Sequence, residues 1–367
     1  MTQPKRVGDD PKLRRHFEGQ AEACEAMDAP FNGRLCRLLA ANLDDASALG
    51  RRILDWPTDN LRNDLVALRA CAGFHALARA GRVSALRDVY PPKTCDDAQL
   101  WAALADAIAR EDAFLAGYLD SAPQTNELGR SAILLGGVLA LAEQVSLPID
   151  LYEVGASAGL NLLFDRWSYD LGPGGFWEPT GSWGPTEAAV RISCPWTGAM
   201  PPRDTPFTIR RREASDLQPL DASDNKDRER LLSYIWPDQA DRLARTRVAL
   251  DVAAQSGVTI AKADARGWVA RALAPDRAEP GVTSLLFHSV FIQYVDPPIR
   301  EALVADIKRR GEAATAETPF AWLQMEAGDK QRAHCELRLT VWPGGEERHL
   351  AEVDWHGRWA EWRDGAG

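Results

Sequence analysis

Apolar positions change their rhythm near residue 148. Upstream they recur every three to four residues, the period of one helix face. Pro11 opens a stretch rich in Ala, Glu and Arg. Leu35, Leu38 and Leu39 mark a helix over residues 31–43, and Leu61, Leu65, Leu68, Ala72 and His75 form one stripe over 61–79. Pro91 and Pro92 break the pattern. Thr94 then reads as the N-cap of a long helix carrying Leu100, Leu104, Ile108, Leu115 and Leu119, closed by Ser121-Ala122-Pro123. Residues 124–146 are apolar on most sides, which predicts a helix buried between layers. Its polar start offers Asn126, Glu127 and Arg130, either as caps or as groups facing a ligand. Residues 1–10 read as a disordered tail.

Downstream, short apolar runs alternate with helical stretches. Residues 149–154 form an apolar run that turns through Gly155-Ala156-Ser157-Ala158-Gly159 and continues with helical spacing from Leu160. Residues 168–206 are rich in Gly, Pro and Trp, which predicts an insertion at about 172–206 with one strand-like piece at 189–194. Strands are predicted at 207–212, 258–261, 283–287 and 319–325. Helices are predicted over 226–255, with a break at Trp236-Pro237-Asp238, over 265–273, and from Asp296-Pro297-Pro298 to about 310. Residues 336–341 and 349–353 alternate around Pro343-Gly344-Gly345, the pattern of an antiparallel hairpin. The expected fold class is α/β: a helical region over 11–147, then a Rossmann-like domain over 148–367 with a mostly parallel sheet and a C-terminal hairpin.

Composition narrows the function. The chain has 367 residues and a net charge of -10, which argues against a nucleic-acid or anionic-membrane partner. Its cysteines, at 24, 36, 71, 95, 194 and 335, form no C-x-x-C pair, and no histidine stands at zinc-ligand spacing, so no metal is expected. The polar N-terminus lacks an apolar signal core and no apolar run is long enough to span a membrane; a reduced, cytoplasmic protein is the expectation. Of 13 tryptophans, 11 follow residue 150, and core packing explains them better than an aromatic cleft. Arg210-Arg211-Arg212 reads as a solvated strand face.

The small-residue bend carries the candidate chemistry. A glycine there takes conformations closed to other residues and lets a ligand lie against backbone. Three readings fit: a cofactor cradle, the G-x-S-x-G elbow of a serine hydrolase, or a plain connector. Ligands of parallel sheets sit beyond the carboxyl ends of the strands, where Glu153–Gly159, residues 213–216, Asp264 and His288-Ser289 would converge. The chain order Ser157, Asp264, His288 matches a hydrolase triad, but the helical first half leaves no earlier strands for that fold. A dinucleotide fingerprint requires glycine where Ser157 stands.

Glu153-x-Gly155-x-Ser157-x-Gly159 resembles the first motif of class I S-adenosylmethionine-dependent methyltransferases, with Ser in place of one glycine. That family's sheet also closes with an antiparallel hairpin. More widely, the stretches PQTNELGRSA, VGASAGLN, DLQPLD, WPDQADRLAR, FHSVFIQY, LTVWPGGEERHLA and WHGRW resemble a bacterial domain-of-unknown-function family, 2332. The first resemblance implies methyl transfer from S-adenosylmethionine to a small molecule. Glu153, Gly155 and Gly159 would cradle the methionine part, with Ala156, Ser157, Asn161 and Asn126 beside them. An acid ending the second strand would grip the ribose; Asp170, Glu213 and Asp216 compete, with Asp216 preferred. Asp264 would lie near the adenine or simply cap its helix. His288, ending the fourth strand, would serve as general base, with Tyr294 and Gln293 as further candidates. Asp296-Pro297-Pro298 reads better as a helix start than as an amino-methyltransferase motif, and His356 either reaches the cleft or packs the hairpin's edge. A serine hydrolase using Ser157 and a non-catalytic binding protein are the alternatives.

Overall fold

A computed structural model describes residues 4–124, 126–179, 190–328 and 334–363. The chain divides into two compact units, Met1–Thr125 with Asn225–Ala244, and Asn126–Asp224 with Arg245–Gly367.

The first unit is helical. Leu13, Phe17, Leu35, Leu39, Phe74, Leu77, Leu100 and Leu104 are fully buried in its core. The expected stripes therefore pack inward, but several boundaries move. Residues 4–10 do not behave as a tail. Arg6 bridges to Asp44, Val7 is fully buried, and Asp10 caps helix Pro11–Glu25 by accepting from the Lys12 and Leu13 N–H groups. Leu65, at φ +52, splits the third helix into Leu61–Asp64 and Val66–Arg79. The long helix Asp97–Tyr118 is capped by Asp96 and Gln99 in a reciprocal box, not by Thr94. Ala48–Leu54 and Ser84–Val89 are short helices without a readable stripe.

Residues 225–244 belong here, although the sequence pattern keeps them with the second half. Helix Asn225–Tyr234 packs on Val66–Arg79, where His75 Nδ1–H donates to the Ser233 carbonyl at 3.0 Å and Arg79 pairs with Glu229 at 2.8 Å. Asp238 accepts from the N–H groups of Phe31 and Asn32, capping helix Pro30–Asn42. Partners so far apart in sequence leave no local signature.

The second unit is mixed α/β. Its strands, in chain order, are β1 (Ile149–Val154), β2 (Ser168–Asp170), β3 (Phe176–Trp177), β4 (Arg191–Ser193), β5 (Trp196–Gly198) and β6 (Ile209–Asp216). They continue with β7 (Ile260–Lys262), β8 (Thr283–Ser289), β9 (Phe320–Ala327), β10 (Cys335–Trp342), β11 (Glu346–Val353) and β12 (Ala360–Trp362). A nine-stranded sheet runs β5-β12-β11-β10-β9-β8-β1-β6-β7, and β3-β2-β4 form a small separate sheet. The five strands β7-β6-β1-β8-β9 are mutually parallel. In chain order they read 3-2-1-4-5, the doubly wound arrangement. β10, β11 and β12 then return antiparallel, as the hairpin pattern predicts.

The Gly/Pro/Trp-rich insertion supplies β5 to the edge of the large sheet and all of β3 and β4; its residues 180–189, including the start of the strand predicted at 189–194, lie outside the described residues. Trp196 and Trp362 pack against each other with their rings tilted by 60° where β5 meets β12, and both are buried. One sheet face is covered by helix Arg130–Gln144, in which Gly137 lets the backbone close onto Leu323. The other is covered by Ala265–Ala272 and Pro297–Glu312, around Tyr152, Leu286, Phe320 and Trp322. Among the described residues no helix is long and apolar enough to cross a membrane.

Two expectations near β1 fail. Residues 124 and 126–129 are not helical, and residue 125 lies outside the described residues; the helix starts at Arg130. The bend after β1 leads only into a short 3-10 segment, Asn161–Arg166, interrupted at Leu163. The strand–turn–helix unit, and with it the positive helix end, is absent there.

Candidate functional site

From β1 the chain steps outward to β6 and β7, then crosses back to β8 and β9 on the other side. The switch point is therefore the carboxyl edge between β1 and β8, where ligands of such sheets bind. The bend occupies one side of it. Gly155 (φ +71), Ser157 (φ +55) and Gly159 (φ +71) are all left-handed. Such geometry admits Gly cheaply and strains Ser.

Every N–H of residues 155–160 is already taken. Gly155 and Ala156 donate to the Ser215 carbonyl, at 2.9 and 3.2 Å, and Gly159 donates to the Ala156 carbonyl at 2.8 Å. The Ser157 N–H goes to Asp216 Oδ2 at 2.8 Å, and those of Ala158 and Leu160 go to Asn126 Oδ1 at 3.2 and 3.0 Å. A phosphate needs free N–H donors, so this bend is not an anion cradle. Asn126 reaches it, as expected, but as a brace. Asn161 is likewise buried and accepts from Ser131 Oγ–H at 2.8 Å.

The edge is acidic instead. Glu153, at the end of β1, is 2% exposed and its Oε2 has no hydrogen-bond partner. Burial pushes its carboxyl well above the usual range, Asp216 adds to that shift, and Arg130 offsets only part of it. Of the three ribose candidates, Asp216 alone ends the strand beside β1. It also accepts from the Gln218 N–H at 2.8 Å. Asp170 ends β2 in the small sheet, and Glu213 lies within β6 paired with Arg277 at 2.9 Å, so neither stands at the switch point. Asp264 follows β7 and caps helix Ala265–Ala272 through the Gly267 N–H.

His288 corrects the expectation most sharply. It is fully buried, its Nδ1–H donates to Glu326 Oε1 at 2.6 Å, and its Nε2 accepts from Trp322 Nε1–H at 3.1 Å. With both nitrogens committed inside the sheet, it cannot take a substrate proton. The hydrolase triad fails with it: Ser157 Oγ is buried without a partner and Asp264 is a helix cap. Tyr294 stands on the outer side of the edge, 59% exposed. Asp296 sits at the start of helix Pro297–Glu312 with two prolines behind it, without a side-chain cap bond. His356 lies in the turn held by Asp354, which accepts its N–H at 2.9 Å.

Two residues that the sequence pattern leaves unremarked shape the site. Glu326, ending β9, accepts from the N–H groups of Phe291 at 2.9 Å and Ile292 at 3.2 Å as well as from His288. It thereby fixes the loop after β8. That loop lays Phe291 on the bend: a Cβ at Gly155 would sit 2.4 Å from Phe291 Cδ2. Arg130, at the start of its helix, donates to the Trp355 and Ser289 carbonyls at 2.9 and 3.2 Å and joins the same edge. An acid at a strand end was a readable signal for Glu326; the Phe291 contact joins distant segments and had none.

A protein-family model, "Uncharacterized protein conserved in bacteria (DUF2332)", matches residues 14–362. No curated protein and no solved structure matches the chain.

Proposed function

The chain belongs to this bacterial family, DUF2332, which brings no activity with it, and we propose that the α/β unit binds S-adenosylmethionine and transfers its methyl group to a small molecule. One observation carries the reading. The switch point offers one buried carboxyl, Glu153, with the half-buried Asp216 beside it, and a bend whose N–H groups are all taken, which suits a cationic nucleoside and not a phosphate. A methyltransferase-like sheet is consistent with the 3-2-1-4-5 order followed by antiparallel strands.

The orphaned Glu153 Oε2 fits an ammonium group, and Asp216 stands beside it for a ribose hydroxyl. Gly155 and Gly159 supply the side-chain-free backbone. The cofactor would bring an electrophilic methyl carbon. The chain's own share is alignment, since His288 is held by Glu326 and Trp322. A methyl acceptor that is already nucleophilic at neutral pH suits such a site. Free cysteines at all six positions suit a reducing, cytoplasmic setting.

Phe291 favours a second reading, a protein that keeps the fold for binding without catalysis, because its ring rests where the ligand would lie. The test separates the two. S-adenosylhomocysteine should raise the melting temperature of the intact protein, and Phe291→Ala should bind it about tenfold more tightly by removing the ring. Glu153→Gln should abolish the shift in both backgrounds. If neither the wild type nor Phe291→Ala responds, the methyl-transfer reading falls and the binding reading stands.

A further inference from the structure

The antiparallel part of the sheet carries a second cluster, independent of the methyl-transfer reading. Register places Glu336 of β10 directly opposite Glu352 of β11. The same row continues to Glu326 of β9 on one side and Glu361 of β12 on the other. Like charges directly opposite one another destabilise a sheet, so this row calls for cations.

Part of that need is met by arginine. Arg338 Nε donates to Glu336 Oε2 at 2.9 Å, and Arg363 pairs with Glu352 Oε1. Imidazoles also converge on the row. His349 Nε2 lies 3.6 Å from Glu352 Oε1 and 3.2 Å from the Ala351 carbonyl oxygen, a nitrogen facing two oxygens. His334 Nε2 contacts Glu352 Oε2. The donor atoms of Glu336, His349 and Glu352 all fall within 4.8 Å of one another, close enough to share one ion.

We propose that Glu336, His349 and Glu352 form a divalent-cation site, completed by His334, with Zn2+ as the matching ion. Two imidazole nitrogens and two carboxylate oxygens suit the borderline-soft, four-coordinate Zn2+, whereas Mg2+ and Ca2+ prefer oxygen alone. The spacing of these residues along the chain follows no zinc motif, because the cluster is assembled across strands.

Isothermal titration of the intact, reduced protein with Zn2+ should give about one equivalent bound. Glu352→Gln and His349→Ala should each weaken it by at least about tenfold, while Glu361→Gln, exposed on the same row, should leave it unchanged. Glu336→Gln replaces Glu352→Gln if circular dichroism shows the latter unfolded. Co2+ loading of the wild type should give a d–d spectrum without a thiolate-to-metal band. No Zn2+ binding by the wild type, equal affinity in the cluster variants, or a thiolate band that moves the ion to the cysteines would each overturn the site.

Discussion

β1 buries two carboxyls three positions apart, and they live in opposite surroundings. At the amino end, Asp150 receives Arg210 through two nitrogens, at 2.8 and 2.7 Å, and Arg211 at 2.6 Å. At the carboxyl end, Glu153 Oε2 receives nothing. Burial opposes the charge of both. For Asp150 the two guanidiniums outweigh it and hold the carboxyl below its usual range; for Glu153 the second acid, Asp216, reinforces it. The amino end is thus arranged for stability. The carboxyl end leaves a buried polar atom unsatisfied, which costs on the order of 1–3 kcal/mol, and such exceptions concentrate where a protein binds or reacts.

The comparison breaks most visibly at Asp150. Removing one partner of a buried ion pair costs about 3–5 kcal/mol. Here Arg210 and Arg211 are 36% and 34% exposed, so water recovers part of the loss. Asp150→Ala should therefore lose about 2–3 kcal/mol at pH 7, read from urea denaturation. A carboxyl whose folded pKa is lowered stabilises above its ordinary value of 3.8, and the contribution is lost as pH falls through the folded value. The gap between wild type and variant should shrink accordingly in acid. A full-sized gap persisting there would mean that packing, not charge, holds this end.

At the other end, Gly155 should be next most sensitive. Alanine there meets two obstacles, a φ of +71° and the Phe291 ring 2.4 Å from the new Cβ. The left-handed backbone alone costs roughly 1–2 kcal/mol, and displacing the ring adds about 1 kcal/mol more. Gly155→Ala combined with Phe291→Ala should recover the second part and keep the first. A double-mutant cycle should show a coupling of about 1 kcal/mol. Additive effects would show that the ring does not rest on the bend, and the case for a covered site would go with it.

These two ends also show what the pattern of residues could convey. The parallel strands and the closing hairpin follow from apolar periodicity, which is local: β1, β8 and β10 all appear near their predicted places. Asp216 is singled out by the resemblance alone, because the periodicity ends its strand at residue 212, short of the strand end at Asp216. The partners were not readable. Arg210 and Arg211 look like a solvated face until the fold brings Asp150 beneath them. His288 looks like a base until Glu326 and Trp322, more than thirty residues later, take its two nitrogens. Glu336, His349 and Glu352 meet only through strand register. The helix expected after the bend is replaced by the short 3-10 segment Asn161–Arg166, and the N–H groups of the bend go to the distant Asn126 and Asp216.

The smallest expected effect isolates Glu153 itself. Its folded pKa lies above the ordinary glutamate value of 4.5, so the folded state holds a proton that the unfolded state releases. Stability from this group is present below 4.5 and is lost as pH rises toward the folded value. Glu153→Gln removes that titration while keeping a neutral, hydrogen-bonding side chain of similar shape. The variant should match the wild type near pH 4.5 and pull ahead as pH rises, by about 2–4 °C in melting temperature for each kcal/mol relieved. Only the difference between the two proteins is diagnostic, because every other titrating group is common to both. A difference that stays flat with pH would mean that Glu153 titrates alike in the folded and unfolded chains, so that burial does not hold a proton on this carboxyl.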